Sequence, residues 1–114
     1  MAVELGVIEG YFGKPWSHGD RKHVMTRLRD IGYSWFHYAP KADAFLRRRW
    51  REPHPSDVLA ELVELSAYCR GLGMRFGMGL SPYELCRDFS GPGRADFIAK
   101  VRALDDTGID ELAI

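Results

Sequence analysis

The chain has 114 residues, enough for one domain or part of one. Its 46% hydrophobic and 28% charged content is that of an ordinary globular chain. Sixteen basic residues balance sixteen acidic ones, so neither nucleic acid nor an anionic membrane surface is an expected partner.

The first element is a strand over residues 3–9, "VELGVIE". It runs into "GYFGKPW", where Gly10 and Gly13 predict tight or positive-φ backbone and Pro15-Trp16 a stiff exit. So many particular residues at a strand's C-terminal end suggest a backbone shaped for a site. "SHGD", 17–20, has the spacing of a capping box and predicts a helix start. Val24, Met25, Leu28 and Ile31 give that helix its apolar stripe, and Gly32 stops it. "YSWFHYA", 33–39, predicts a second strand. A polar loop follows, "PKADAFLRRRWREPHP", with a short helix expected in its middle.

The next helix begins near Pro55-Ser56-Asp57, with Leu59, Leu62, Leu65, Cys69 and Leu72 as its buried stripe and Gly71 and Gly73 at its end. "MRFGMGL", 74–80, predicts the third strand and "SPYELCRDFSGPG" another loop. A third helix is expected over 95–107, with Phe97, Val101 and Leu104 facing inward. Gly108 ends it, and "IDELAI" begins a fourth strand.

The order β-α-β-α-β-α-β predicts a parallel sheet with helices packed outside it. Helix-to-strand turns are short, whereas strand-to-helix loops are long and rich in polar and aromatic residues. In such folds ligands bind at the C-terminal ends of the strands. About three and a half βα units are present, under half of the roughly 250 residues of a (β/α)8 barrel. Residues 1–114 therefore read as an incomplete barrel that stops in strand four. A small doubly wound domain is the alternative, but "EGYFGKPW" is neither GxGxxG nor GxxxxGK[ST].

Cys69 and Cys86 form no disulfide framework or metal spacing, and His18, His23, His37 and His54 lack HxxxH or HExxH spacing. No metal and no cofactor is expected. The N-terminus "MAVELGVIEG" has no basic n-region or cleavage site, and no stretch is long enough to span a bilayer, so a cytoplasmic location is expected. "RRRWR", 47–51, has the look of a nucleic-acid patch, but the balanced charge and the adjacent Glu52 argue against one. Asp105-Asp106 is an adjacent carboxylate pair at a helix end, on the wrong side of the sheet for a site.

"GVIEGYFGKPW", "HYAPKADAFLRRRWREPHP" and "GLSP" together resemble the N-terminal part of the catalytic domain of the O-GlcNAcase/hyaluronidase-type β-N-acetylglucosaminidases. The resemblance covers essentially the whole chain in order and spacing. It implies a TIM barrel that removes terminal N-acetylglucosamine from a glycan or glycoprotein by a substrate-assisted, retaining mechanism. It also implies a catalytic Asp-Asp pair at the end of strand four, which would fall just beyond Ile114, so the chain alone is expected to be inactive. Gly10 matches a glycine whose backbone meets sugar hydroxyls. Lys41 matches a lysine that donates to them.

Asp43 matches the second acid of a Lys-Asp-Asp motif whose first acid is here Ala42, and either substrate contact or loop anchoring stays open for it. Glu9, taken as inward-facing, is expected to orient Lys41. "YF" at 11–12 inverts the usual Phe-Tyr. Packing is the expected role of Trp16, Trp35 and Trp50. Two rival readings stay open: a sugar- or partner-binding half-barrel that self-associates through its open edge, and a different barrel enzyme sharing this front half.

Overall fold

A computed structural model describes residues 3–114. Strand β1 (Gly6–Glu9) leads to helix α1 (His18–Asp30) and strand β2 (Trp35–Tyr38). A 3-10 turn (Ala44–Leu46) precedes helix α2 (Ser56–Gly71) and strand β3 (Arg75–Gly79). A one-turn helix α3 (Leu85–Asp88), helix α4 (Pro92–Asp105) and strand β4 (Glu111–Ala113) complete the order. All strands pair in parallel, in the order β1-β2-β3-β4. The predicted α/β alternation is thus observed, with shorter strands.

Local chemistry sets the boundaries. Ser17 caps α1, its Oγ accepting from the Asp20 N–H at 3.1 Å. Helices α1, α2 and α4 each pass into the next strand through a glycine at positive φ: Gly32 at 92°, Gly73 at 76° and Gly108 at 89°. Gly71, by contrast, is still helical. Pro92 sits in the first turn of α4, where its missing N–H costs no helical bond, so the helix begins three residues earlier than Ala95. The expected loop before it holds α3.

Alternation along the strands divides their side chains between two faces. Val7, Phe36 and Phe76 lie in register, as do Glu9, Tyr38 and Met78. This face packs on the helices and forms the core with Met25 of α1, Leu62, Leu65 and Cys69 of α2, and Leu104 of α4. Burial, and secondarily Asp110, pushes the Cys69 thiol up to about 12, so it stays protonated. Two expected stripe residues depart from the pattern. Ile31 follows the last turn of α1 and is 68% exposed, and Val58 rather than Leu59 packs against the core from the start of α2.

The opposite face carries Gly6, Ile8, Trp35, His37, Arg75, Gly77 and Glu111. Trp35 lies over Gly6, which has no side chain to obstruct it. His37 Nε2 and Glu111 Oε2 are 2.6 Å apart, and Arg75 Nε donates to Glu111 Oε1 at 2.5 Å. Gly77 makes room for this cluster: a Cβ there would stand 2.7 Å from the His37 ring and 3.0 Å from the Glu111 carbonyl oxygen. Gly77→Ala should therefore destabilise the fold by about 1–3 kcal/mol. Chemical unfolding measures this, and an unchanged midpoint would refute the crowding.

Candidate functional site

The C-terminal ends of the strands converge on one rim, formed by residues 10–16, 39–55 and 80–91. The first wall rests on Glu9. Its side chain is fully buried and, sharing a face with Tyr38, turns toward the helices rather than to the opposite face. Arg21 of α1 holds it bidentately, Nε to Oε1 at 2.6 Å and a second N–H to Oε2 at 2.8 Å. The Trp16 N–H adds a third bond at 3.3 Å. The expected pairing with Lys41 is replaced by this one, and the reason is geometric: the strand's alternation aims Glu9 at α1. Burial alone would lower the Arg21 pKa, but the Glu9 carboxylate outweighs it and the pKa is raised.

Arg21 in turn lies over the Tyr38 ring, 4.8 Å from its centroid. The Tyr38 hydroxyl donates to Asp43 Oδ2 at 2.6 Å. Burial, then Asp43, pushes the phenol far above its ordinary value, so it remains a donor. His54 Nε2 reaches the same oxygen at 2.9 Å, and the Phe45 N–H reaches Oδ1 at 3.0 Å. Burial would raise the Asp43 pKa. The bonds from His54 and Tyr38 outweigh that penalty and hold it below the usual value. An ionised carboxylate only accepts, so His54 donates from Nε2. The Asp43 side chain is 5% exposed and its oxygens are taken up by Tyr38 of β2 and by Phe45 and His54 of the loop. The geometry favours loop anchoring over substrate contact.

Lys41 stands two residues before this anchor. Its carbonyl accepts from Arg47 at 3.1 Å, while its ammonium makes no hydrogen bond or ion pair among the described residues. An ammonium with three donors and no protein partner, on a fixed loop at the rim, suits a polyol. Gly10 begins the first rim segment. Its φ is not positive, unlike that of Gly13 at 104°, so the expected left-handed backbone falls at the second glycine alone. A Cβ on Gly10 would stand 3.3 Å from Ile8 Cγ2 and 3.8 Å from the Ala39 carbonyl oxygen.

The tryptophans divide by environment. Trp50 is buried and donates from Nε1 to the Tyr83 carbonyl at 3.0 Å. Trp16 packs against the core between Tyr11 and Phe36. Asp105 and Asp106 are exposed at the end of α4, on the opposite side of the sheet from the rim. Among the described residues, no group of three or more His, Cys, Asp or Glu side chains is placed to hold a metal ion.

A family model described as beta-N-acetylglucosaminidase matches residues 5–114. The chain belongs to the β-N-acetylglucosaminidase family. Rat and mouse proteins named Protein O-GlcNAcase, from Rattus norvegicus and Mus musculus, are each 34% identical to it over 77 residues. That stretch is 68% of this chain and 8% of the relative. Among solved structures, an Asp-to-Asn mutant of the Thermobaculum terrenum O-GlcNAc hydrolase superposes with a TM-score of 0.86 at 28% identity, covering 96% of this chain and 24% of the other. The protein CpGH84B gives 0.84 at 30% identity, covering 96% and 20%.

The chain thus spans less than a tenth of the curated relatives and about a quarter or less of the solved ones. Its four strands are the N-terminal portion of the TIM barrel of these β-N-acetylglucosaminidase-type glycoside hydrolases.

Two supports of the rim escape a reading of the sequence. Arg21 falls on the buried stripe of α1 with Met25, and an arginine at that spacing signals a buried anionic partner. His54 carries no such signal, because only the fold of the 39–55 loop brings it to Asp43.

Proposed function

We propose that these residues supply one wall of the sugar site of a β-N-acetylglucosaminidase that removes terminal N-acetylglucosamine with retention of configuration. The observation that carries this reading is the Lys41 ammonium at the rim, without a partner among the described residues, on a loop locked by Asp43, within a chain matched by the family model over 5–114.

In this reading Lys41 donates to hydroxyls of the bound sugar. The backbone at Gly10 comes close to the same sugar, and Asp43 keeps Lys41 in place. The mechanism is substrate-assisted. The acetamido oxygen attacks the anomeric carbon as that carbon's bond to the aglycone oxygen breaks, the departing oxygen takes a proton from a general acid, and an oxazolinium ion is left. The same acid, now a base, takes a proton from the water that opens the ring. An adjacent carboxylate orients the acetamido group.

No Asp-Asp pair among the described residues stands at a strand's C-terminal end. The 114 residues are therefore proposed not to turn over by themselves, with acid/base catalysis alone contributing about 10²–10⁴-fold.

The test is hydrolysis of an aryl N-acetylglucosaminide. The 114-residue chain should match buffer, whereas a longer protein containing it should release the β-anomer first. In that longer protein Lys41→Ala should lower kcat/KM about tenfold or more, the value of one charged hydrogen bond. Turnover by the short chain would overturn the assignment of catalysis to residues outside it. An unchanged kcat/KM in the variant would remove Lys41 from the site.

A further inference from the structure

Lys41 stands on a turn. The Asp43 N–H donates to the Pro40 carbonyl at 3.0 Å, which closes residues 40–43 with Lys41 and Ala42 at the centre. The two ends of this turn are held differently. At the near end, the Ala39 N–H donates to the Glu9 carbonyl at 3.1 Å and continues the pairing with β1. At the far end the hold is the Asp43 carboxylate. Its donors come from increasing distances along the chain: Phe45 two residues away, Tyr38 five and His54 eleven.

His54 is the donor that brings in a separate part of the scaffold. Pro53 and Pro55 stiffen the backbone on both sides of it. The Pro55 carbonyl accepts from the Leu59 N–H of α2 at 2.9 Å, and Lys100 of α4 donates to the Glu52 carbonyl at 2.8 Å. The segment 52–55 is therefore fixed to two helices. The His54 side chain is 1% exposed and packs beside Phe45, with ring centroids 5.3 Å apart. Solvent thus does not compete for its Nε2 bond to Asp43 Oδ2.

We infer that His54 is a positioning residue for the sugar site: through Asp43 it fixes the turn that carries Lys41, and so sets how tightly the sugar is held. The inference rests on the sugar-site reading above. His54 does not itself reach the sugar, because its ring is enclosed and its Nε2 is committed to Asp43. Lysine is a long side chain that loses rotamer freedom when its ammonium is engaged. A loose turn adds backbone freedom to that loss, and a turn fixed beforehand removes the addition before the sugar arrives.

The test is steady-state hydrolysis of an aryl N-acetylglucosaminide by a longer protein containing these residues. H54F, H54N and H54Q are each made with Lys41 and with K41A. H54F should raise KM about fivefold, the value of one net hydrogen bond, and leave kcat within about twofold, because Lys41 holds the sugar alike in the ground and transition states. H54Q places an amide nitrogen where Nε2 stands and should recover most of the KM. The shorter amide of H54N does not reach and should not. In K41A, H54F should have no further effect on KM, since its route runs through Lys41.

A purely structural role lowers the folded fraction, which lowers the apparent kcat and leaves KM unmoved, and that result overturns the inference. The same rise in KM with and without Lys41 also overturns it, as does an H54Q no better than H54N. If H54F does not fold, H54N against H54Q in both backgrounds carries the same comparison. A kcat/KM unchanged by K41A alone overturns the sugar-site reading, and the inference with it.

Discussion

Glu9→Ala should lower the unfolding free energy by about 3–5 kcal/mol, the cost of stripping one partner from a buried ion pair. Glu9 is fully buried and Arg21 is 7% exposed, so neither charge has water to fall back on. Without the carboxylate, the guanidinium loses both of its short bonds and the Trp16 N–H loses its acceptor. A domain is stable by only about 5–15 kcal/mol, so this one change removes about a fifth or more of the total. The double replacement E9L/R21M should recover most of the loss, since no orphaned charge remains. Urea midpoints of the three proteins give the comparison. A loss below about 1 kcal/mol for E9A would show that water reaches Arg21 and that the pair is not truly desolvated.

Asp43→Ala should cost about 2–4 kcal/mol, because it leaves three donors without an acceptor. These are the Tyr38 hydroxyl, the His54 ring N–H and the Phe45 N–H. Asp43→Asn keeps the shape but presents an NH₂ where one of the donors pointed. It should recover only part of the loss. The carboxylate also sets a pH dependence. Burial raises its pKa, the His54 and Tyr38 bonds more than reverse this, and the folded value lies below the unfolded one. The contribution is therefore complete above about pH 4, the unfolded carboxylate value, and is lost as pH falls through the lower folded value. Stability measured from pH 7 downward should show this acid limb in the native chain and a shallower one in D43N. Parallel profiles would mean that Asp43 is not the group responsible.

The fold was legible in the sequence because its punctuation is chemical. Gly32, Gly73 and Gly108 mark the three helix-to-strand turns, and all three adopt the left-handed conformation that glycine permits. Ser17 announces α1 through its cap. The strand ends are less legible. Val3 and Leu5 have strand-like chemistry but lie outside the paired residues, since pairing depends on the neighbouring strand and not on propensity.

The position of Lys41 at the rim followed from the motif around it. The partner of Glu9 did not. Choosing between Lys41 and Arg21 required the pleat, and a one-residue error in strand phase reverses the facing of every side chain. The pairing of Arg51 with Asp88 and Asp96 was invisible for a similar reason. Asp88 and Asp96 lie far along the chain from Arg51, and only the packing of α3 and α4 against the 39–55 loop brings them together.

The strands stand side by side in the order in which they occur in the chain. Each hydrogen-bonds to the one made just before it, with one helical unit between them. During synthesis β2, β3 and β4 therefore each find a partner in the strand made just before them. Each of these three pairings closes over a single unit, so the entropic cost is similar for all of them. Among these four strands the sheet is a ratchet that is built from one side, from β1 towards β4.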